Sequence, residues 1–460
     1  MSAASQSKEI PVEELRSELD GELITTQDGA YDEARQVFFK GIDRHPLAVA
    51  RVAGAEDVAR VVSAARKLGL ELAVRSGGHS RAGYGTSEGG LVIDLSGLNG
   101  VEIDVDGETA WVETGATAGQ YTTATGERGR VTGLGDSGSV GIGGITLAGG
   151  VGFLVRKNGL TLDDLLAAEL VTADGEIVQV NEESDPDLFW AIRGGESNFG
   201  VATRLHLRLH EISEIVGGML ILPATPEVIT GFVEAADAAP EELSTIANVM
   251  IAPPMPFVPE EAHGKPVLMA LMAYVGPPDQ ADGAIAPLRA LAEPLADMLR
   301  PMRYPELYEG PEPEPQLAAG ANFFCDSLEQ IAAEAILEQL PQSTAMMNSV
   351  QIRVLGGALA RVPNDATAFG HRDRRVFVNV AAMYADPAEE DTHQGWVEGL
   401  ADSLGKDGAG GYVGFMGKEG EETLRAAYPG GAWERLRGLK RRYDQDNLFR
   451  LNHNIPPTDG

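Results

Sequence analysis

The chain has 460 residues, 43% of them hydrophobic and 23% charged, which allows a sizeable buried core in about two or three domains, and no apolar run approaches the roughly 20 residues a bilayer span requires. A formal charge of −33 excludes a nucleic-acid partner, because phosphate binding needs clustered Lys and Arg, and fits a solvated acidic surface. Cys325 is the single cysteine, so an internal disulfide and a cysteine-held metal or iron–sulfur cluster are excluded; Met1 to Val12 lack the pattern of a secretory signal, and a cytoplasmic location without membrane contact is expected.

Residues 1–42 read as an N-terminal arm with one short helix. Val58, Val61, Val62 and Ala65 then recur at helical spacing in a segment that ends at Gly69. Leu70, Leu72 and Val74 alternate as on a strand with one buried face, and the loop Arg75-Ser76-Gly77-Gly78-His79-Ser80-Arg81-Ala82-Gly83-Tyr84-Gly85 begins at its end. Two adjacent glycines there permit close backbone approach, and a reactive ring nitrogen follows them. Leu91 to Leu95 and Thr109 to Thr114 read as strands.

Glycine occupies nine of the twenty positions from 133 to 152, which points to an extended backbone lying against something large and flat. Gly133-Leu134-Gly135-Asp136-Ser137-Gly138 matches G-x-G-x-x-G in form only. It lacks the feeding strand, the helix opening from it and the acidic residue about 20 positions on that a dinucleotide turn requires. Leu165 to Val171 and Glu176 to Val180 flank the Asp174-Gly175 turn signal of a hairpin; a short helix starts at Asp185-Pro186, and Val201 to Leu209 alternates again. A first domain spans 43–212.

From 213 to 410 the texture changes to helices opening at Thr225-Pro226 and covering Ala284 to Leu299 and Leu328 to Leu340. Strand-like runs at Pro266 to Tyr274, Ser349 to Leu355 and Arg375 to Tyr384 alternate with them. Pro-rich patches at Ala252 to Pro259 and Tyr304 to Pro315 read as surface loops. The segment 411–460 opens with a last strand at Gly411 to Phe415, continues in a helix through Tyr443 and ends in an Asn-rich tail able to return to the first domain.

By spacing alone His79 is one of eight histidines, and a metal site is not indicated, since no H-E-x-x-H or paired spacing completes one. His206 and His210 share a strand face without acidic or cysteine companions nearby in sequence and read as packing or surface residues.

The ordered set of motifs carries more. Arg75 to Ser80 with Gly83-Tyr84, Val140-Gly141-Ile142-Gly143-Gly144, Gly149-Gly150-Val151-Gly152, Arg193 to Val201, Leu355-Gly356-Gly357-Ala358 and Tyr443 to Phe449 resemble, in order and over nearly the whole chain, the berberine bridge enzyme-like FAD-linked oxidases of the vanillyl-alcohol oxidase superfamily. The resemblance implies an α+β, two-domain PCMH-type FAD-binding fold whose substrate domain is an antiparallel sheet covered by helices. It implies FAD as cofactor, hydride removal from a small alcohol, amine or secondary-metabolite substrate, and oxygen as acceptor, with a dehydrogenase or an inactive flavin-binding protein as rivals.

By that resemblance His79 is the covalent link to FAD, with Arg75, Ser76, Gly77, Gly78, Ser80, Gly83 and Tyr84 forming its loop. Gly135, Ser137, Gly138, Val140, Gly141, Gly143, Gly144, Gly149 and Gly152 supply the backbone cradle for the pyrophosphate. Asn198 and Val201 stand at the adenine or ribitol end, and Asn452 of the tail joins them. Some relatives have a second link from a cysteine where Ser137 stands, so a single bond is implied; Val140 marks the oxygen gate. Tyr412 takes the place of the catalytic base, its Asn companion replaced by Gly414, and needs a lowered pKa, for which Arg353 is the candidate cation beside Gln351 on the substrate platform. Tyr384 is a further pocket candidate.

Overall fold

The strand Leu91–Asp94 is buried at every position, as suits a strand held between two parallel neighbours. In the computed structural model, which describes residues 12–310, 316–406 and 410–458, it lies between Ala48–Arg51 and Leu72–Arg75, with Glu22–Thr25 completing a four-stranded sheet. The segment before residue 43 thus supplies an edge strand as well as the helix Val12–Glu18. The helix Ala55–Leu68 packs Val58, Val61, Val62 and Ala65 on the sheet and stops at Gly69, whose φ of 59° forms a left-handed cap. Leu72–Arg75 does not alternate as its sequence suggested. Ala73 is buried too, because Tyr31 and Ala34 of the arm cover the second face of the sheet.

A second, five-stranded antiparallel sheet runs in the order Val101–Asp104, Thr109–Glu113, Val201–Arg208, Leu165–Val171, Ile177–Val180, the last two joined by the expected Asp174-Gly175 turn. The glycine-rich stretch departs from the extended form expected of it: Ile142–Ala148 is a helix. Gly143 packs so closely that a Cβ there would stand 3.0 Å from the Thr114 Cβ, and this packing outweighs the poor helix propensity of glycine.

The second half of the chain forms an eight-stranded antiparallel sheet. Its main path is Ala296–Asp297, Ile215–Pro223, Pro266–Tyr274, Leu243–Ile251, Met347–Val354, Val376–Tyr384, Leu317–Cys325. The helices Pro226–Ala238, Gln330–Gln339 and Glu390–Ser403 cover one face and enclose a large apolar core. The helix expected over Ala284 to Leu299 is instead Ala281–Arg289, followed by the short strands Ala296–Asp297 and Arg300–Met302. Pro294 removes a backbone donor that a longer helix would need and biases the residue before it away from helix, whereas Pro287 is accommodated within the helix. Gly411 to Phe415 is no strand either; Val413–Phe415 is a single 3-10 turn. The second Pro-rich patch carries a 3-10 turn at Tyr304–Tyr308 and otherwise lies partly outside the described residues.

Leu448 and Phe449 enter the core beneath Ala55–Leu68. Lys440 Nζ, fully buried, donates to the carbonyls of Asn198 and Phe449 and to Asp444 Oδ2, each at 2.7 Å. The architecture is therefore α+β, and among the described residues no helix is long and apolar enough to cross a membrane.

Candidate active site

The loop after Leu72–Arg75 is fixed from below. Arg75 is buried against Asp94 at 3.1 Å and donates to the carbonyls of Ala34 and Gln36, so it holds strand to arm. Ser76 Oγ donates to the Thr114 carbonyl. Gly77 meets Gly141 so closely that a Cβ on Gly77 would lie 2.2 Å from the Gly141 nitrogen. These glycines are required by backbone contact. Above them the His79 ring stacks on Phe38 at 3.8 Å, and its Nε2 lies 2.9 Å from Ser139 Oγ. Further along, Arg44 ties down the carbonyls of Ala82, Gly83 and Thr86, the Tyr84 nitrogen donates to Ser80 Oγ at 3.4 Å, and Tyr84 meets the edge of His453 at 5.3 Å.

The glycine-rich stretch links this loop to the large sheet. Ala118 and Gly119 donate to the carbonyls of Val140 and Gly138, and Tyr308 donates to that of Gly135. Ser137 Oγ lies 3.4 Å from Ser139 Oγ. Gly152 admits no side chain, since a Cβ would stand 1.5 Å from the Leu134 carbonyl oxygen, whereas Gly144 is exposed with nothing within 4 Å of its Cβ position. At the far end Gly150 donates its N–H to the Tyr412 hydroxyl at 2.8 Å, and a Cβ on Gly149 would touch the Tyr412 ring.

The sheet face opposite the helices carries one wholly polar row between two mixed ones, since residues two apart on a strand share a face. Asn248, Gln351, Asn379 and Asn322 stand in direct cross-strand register. One step along lie Ile246, Arg353, Phe377 and Phe324; one step the other way, Met250, Ser349, Ala381 and Gly320. Gln351 Nε2 donates to Asn248 Oδ1 at 3.2 Å and its Oε1 accepts from Arg353 at 2.7 Å. Arg353, only 2% exposed, also donates to Asp136 Oδ2 at 2.8 Å and to the Val151 carbonyl, beneath the Phe415 ring. Tyr384 lies on the opposite, helix-covered face against His393, which removes it as a pocket residue.

Tyr412 departs from the expectation of a lowered pKa. Burial pushes the phenol up, and the hydrogen bond from the Gly150 N–H and, after it, the Arg353 charge oppose this without reversing it. Tyr412 is held as a neutral phenol. The Asn198 amide donates to the carbonyls of Gly195 and His453 and accepts from the Ile455 nitrogen, which pins the tail. Val201 lies in the core under the first sheet. His210 has an acidic companion after all, Asp164 Oδ1 at 2.8 Å, brought from a distant turn, and His206 stacks on Trp111 at 4.7 Å. Among the described residues no group of three or more His, Cys, Asp or Glu could hold a metal.

Sequence reading missed Asp136, Asn248, Asn322 and Asn379. The three asparagines were signalled as polar residues at inward positions of largely apolar strands, whereas Asp136, in the glycine-rich loop, carried no such signal.

Two observations test the fit to a flavin. Asn452 Oδ1 and Asn454 Oδ1 are buried acceptors without a hydrogen-bond partner among the described residues, the kind of group a flavin imide N–H needs, and the floor at Gly144 is open. Both fit. Residues 46–181 match the family described as FAD binding domain, and residues 412–456 the family described as berberine and berberine like. The chain is 30% identical over 461 residues to (R)-6-hydroxynicotine oxidase of Paenarthrobacter nicotinovorans, covering 95% of this chain and 97% of that one. It is 29% identical to the FAD-linked oxidoreductase YgaK of Bacillus subtilis, over 96% of this chain and 98% of that one. The crystal structure of 6-hydroxy-D-nicotine oxidase from Arthrobacter nicotinovorans superposes with a TM-score of 0.82 at 27% identity, over 96% of this chain and 98% of that one. A xylooligosaccharide oxidase from Myceliophthora thermophila shares the fold, with a TM-score of 0.85 at 22% identity over 98% of this chain and 100% of that one. By these two family matches and a relative 30% identical over nearly the whole of both chains, the chain belongs to the berberine bridge enzyme-like family of FAD-linked oxidoreductases.

Proposed function

We propose that the protein is an oxidase that removes a hydride from a C–H carbon of an alcohol, an amine or a secondary-metabolite substrate and passes the electrons to oxygen. The observation that carries this reading is the double attachment of one glycine-rich stretch. Through Ser139 it meets His79 at 2.9 Å, and through Gly150 it meets Tyr412 at 2.8 Å, which joins the proposed anchor of the cofactor to the polar sheet face. Bound FAD supplies a two-electron acceptor for the hydride, and oxygen, taking up those electrons with two protons, leaves as hydrogen peroxide.

His79 is the covalent anchor. Ser137 occupies the place of the cysteine that makes a second link in some relatives, and a hydroxyl cannot form a thioether, so the bond is single. The peptide groups of 133–152, with Asn452, hold the cofactor. Tyr412 accepts from Gly150 and keeps its own proton, so it orients the substrate's hydroxyl or amine by donating to it; Gln351 and Arg353 shape the face beside it. Val140 leaves room for oxygen. The division 1–42, 43–212, 213–410, 411–460 assigns cofactor binding to the second segment and substrate binding to the third. A lone cysteine suits a cytoplasmic location.

The test is acid denaturation of the holoenzyme. Yellow colour should stay with the polypeptide, on a peptide containing His79, and leave it in His79→Ala. Free flavin from the wild type would remove the anchor. Anaerobic reduction followed by air should give rapid reoxidation with peroxide release; slow reoxidation would mark a dehydrogenase instead.

A further inference from the structure

On the inner face of the large sheet, Asn322 Nδ2 and Asn379 Oδ1 are buried without a hydrogen-bond partner among the described residues. Asn322 and Asn379 are direct cross-strand partners, 3% and 7% exposed. The Asn322 amide is oriented by the Tyr412 nitrogen, which donates to its Oδ1 at 2.6 Å, so its Nδ2 donor is turned the other way. An acceptor and a donor side by side match a hydroxyl, which is both.

The neighbouring row completes the picture. Ser349, Ala381 and Gly320 are in register and small, so the sheet surface next to the two amides is recessed. At the Gly320 end lies Arg81: a Cβ on Gly320 would stand 1.3 Å from Arg81 Nη1. Arg81 Nη2 is also buried without a partner, and no carboxylate lies within ion-pair distance of it among the described residues. Burial pushes its pKa down to about 10, partly offset by Glu419, so the group remains a cation at neutral pH. Half-buried Asn248, Gln351 and Ala381 border the recess and leave it open on that side. A buried donor, acceptor and cation left without partners are a standing cost unless a ligand satisfies them.

We propose that this recess selects an alcohol that also carries a carboxylate, with a hydroxyl between Asn379 Oδ1 and Asn322 Nδ2 and the carboxylate on the Arg81 guanidinium. The assignment rests on the oxidase reading above and narrows its substrate class to hydroxy acids, sugar acids among them. A neutral sugar or an amine would leave Arg81 without a counter-ion.

The experiment uses the FAD-loaded protein and matched probe pairs: glucuronate and glucose, gluconate and glucitol, mandelate and benzyl alcohol. Affinity is read without oxygen, from perturbation or reduction of the flavin absorbance. In at least one pair the acid should bind about ten- to a hundredfold more tightly, the range of a charge-assisted hydrogen bond. Arg81→Met should erase that preference at unchanged flavin content and melting temperature, and Arg81→Lys should keep part of it. Asn379→Val should weaken both members of the pair alike. No pair favouring the acid, or a preference that survives Arg81→Met, would overturn the proposal while leaving a flavin-loaded enzyme. A protein that holds no flavin would overturn the oxidase reading, and this one with it.

Discussion

Arg353 Nη2 lies 2.8 Å from Asp136 Oδ2, joining the large sheet to the glycine-rich stretch across 217 residues of sequence. Because Arg353 is nearly fully buried and its other donors go to Gln351 and Val151, removing it leaves a carboxylate and an amide without their partner. Arg353→Met should cost about 3 kcal/mol, the range for breaking a buried ion pair, and Asp136→Asn less, since its amide still accepts from Arg353. Thermal unfolding of the two single variants and the double variant checks this. Additive losses would deny the coupling.

Tyr412→Phe removes the acceptor for the Gly150 N–H but leaves the ring packed on Phe377 and Phe415. We expect turnover to fall roughly ten- to a hundredfold through loss of orientation, with flavin retained. Burial holds the Tyr412 phenol above its ordinary range, as it does those of Tyr121, Tyr304, Tyr308 and Tyr428. Above about pH 10 the unfolded chain therefore binds fewer protons than the folded one, and stability, complete below that pH, falls as pH rises toward the folded-state values. Near-ultraviolet tyrosinate absorbance from these side chains should appear together with unfolding. A rate that rises with pH, with the rise absent in Tyr412→Phe, would restore the ionised-base role.

His453 Nδ1 lies 2.8 Å from Glu196 Oε2 in the junction of tail and first domain. Burial lowers the imidazole pKa, but the Glu196 carboxylate and the Gly417 carbonyl outweigh it, and the net shift is upward. The stabilisation is therefore full below the unfolded value near 6.5 and is lost as pH rises through the raised folded value. Melting temperature should decline over that interval in the wild type, and Glu196→Gln should be less stable in acid with a flatter profile. An NMR titration placing His453 at or below the ordinary histidine value would contradict this.

The elements that could be read from sequence were those with local causes. Gly69 as a cap, Asp174-Gly175 as a hairpin turn and Thr225-Pro226 as a helix start all act within a few residues. The misses had non-local causes. Leu317–Cys325 is rich in alanine and follows a Pro-rich patch, and it is a strand only because Val376–Tyr384 pairs with it along its whole length. The same holds for the site. The motif order brought His79 and Tyr412 forward, but that Arg353 is spent on Asp136, and that four amides align across four strands, depends on register, which no single strand displays.

Lys440 offers the sharpest test of how the tail is held. Its ammonium group donates to the carbonyls of Asn198 and Phe449 and pairs with Asp444, which in turn accepts from the Leu448 and Phe449 nitrogens. One cation therefore fixes the entry of the tail and the loop it docks on. Burial alone would lower the Lys440 pKa, and Asp444 offsets that only in part, so a neutral replacement escapes a desolvation cost yet strands the carboxylate. We expect Lys440→Met to lose about 3–5 kcal/mol, and the double variant with Asp444→Asn to recover part of it. Limited proteolysis should cut the single variant after Phe449, releasing Asn452 and lowering flavin content in step. A Lys440→Met protein with wild-type melting and an uncut tail would show that Leu448 and Phe449, through apolar packing alone, suffice to hold the segment.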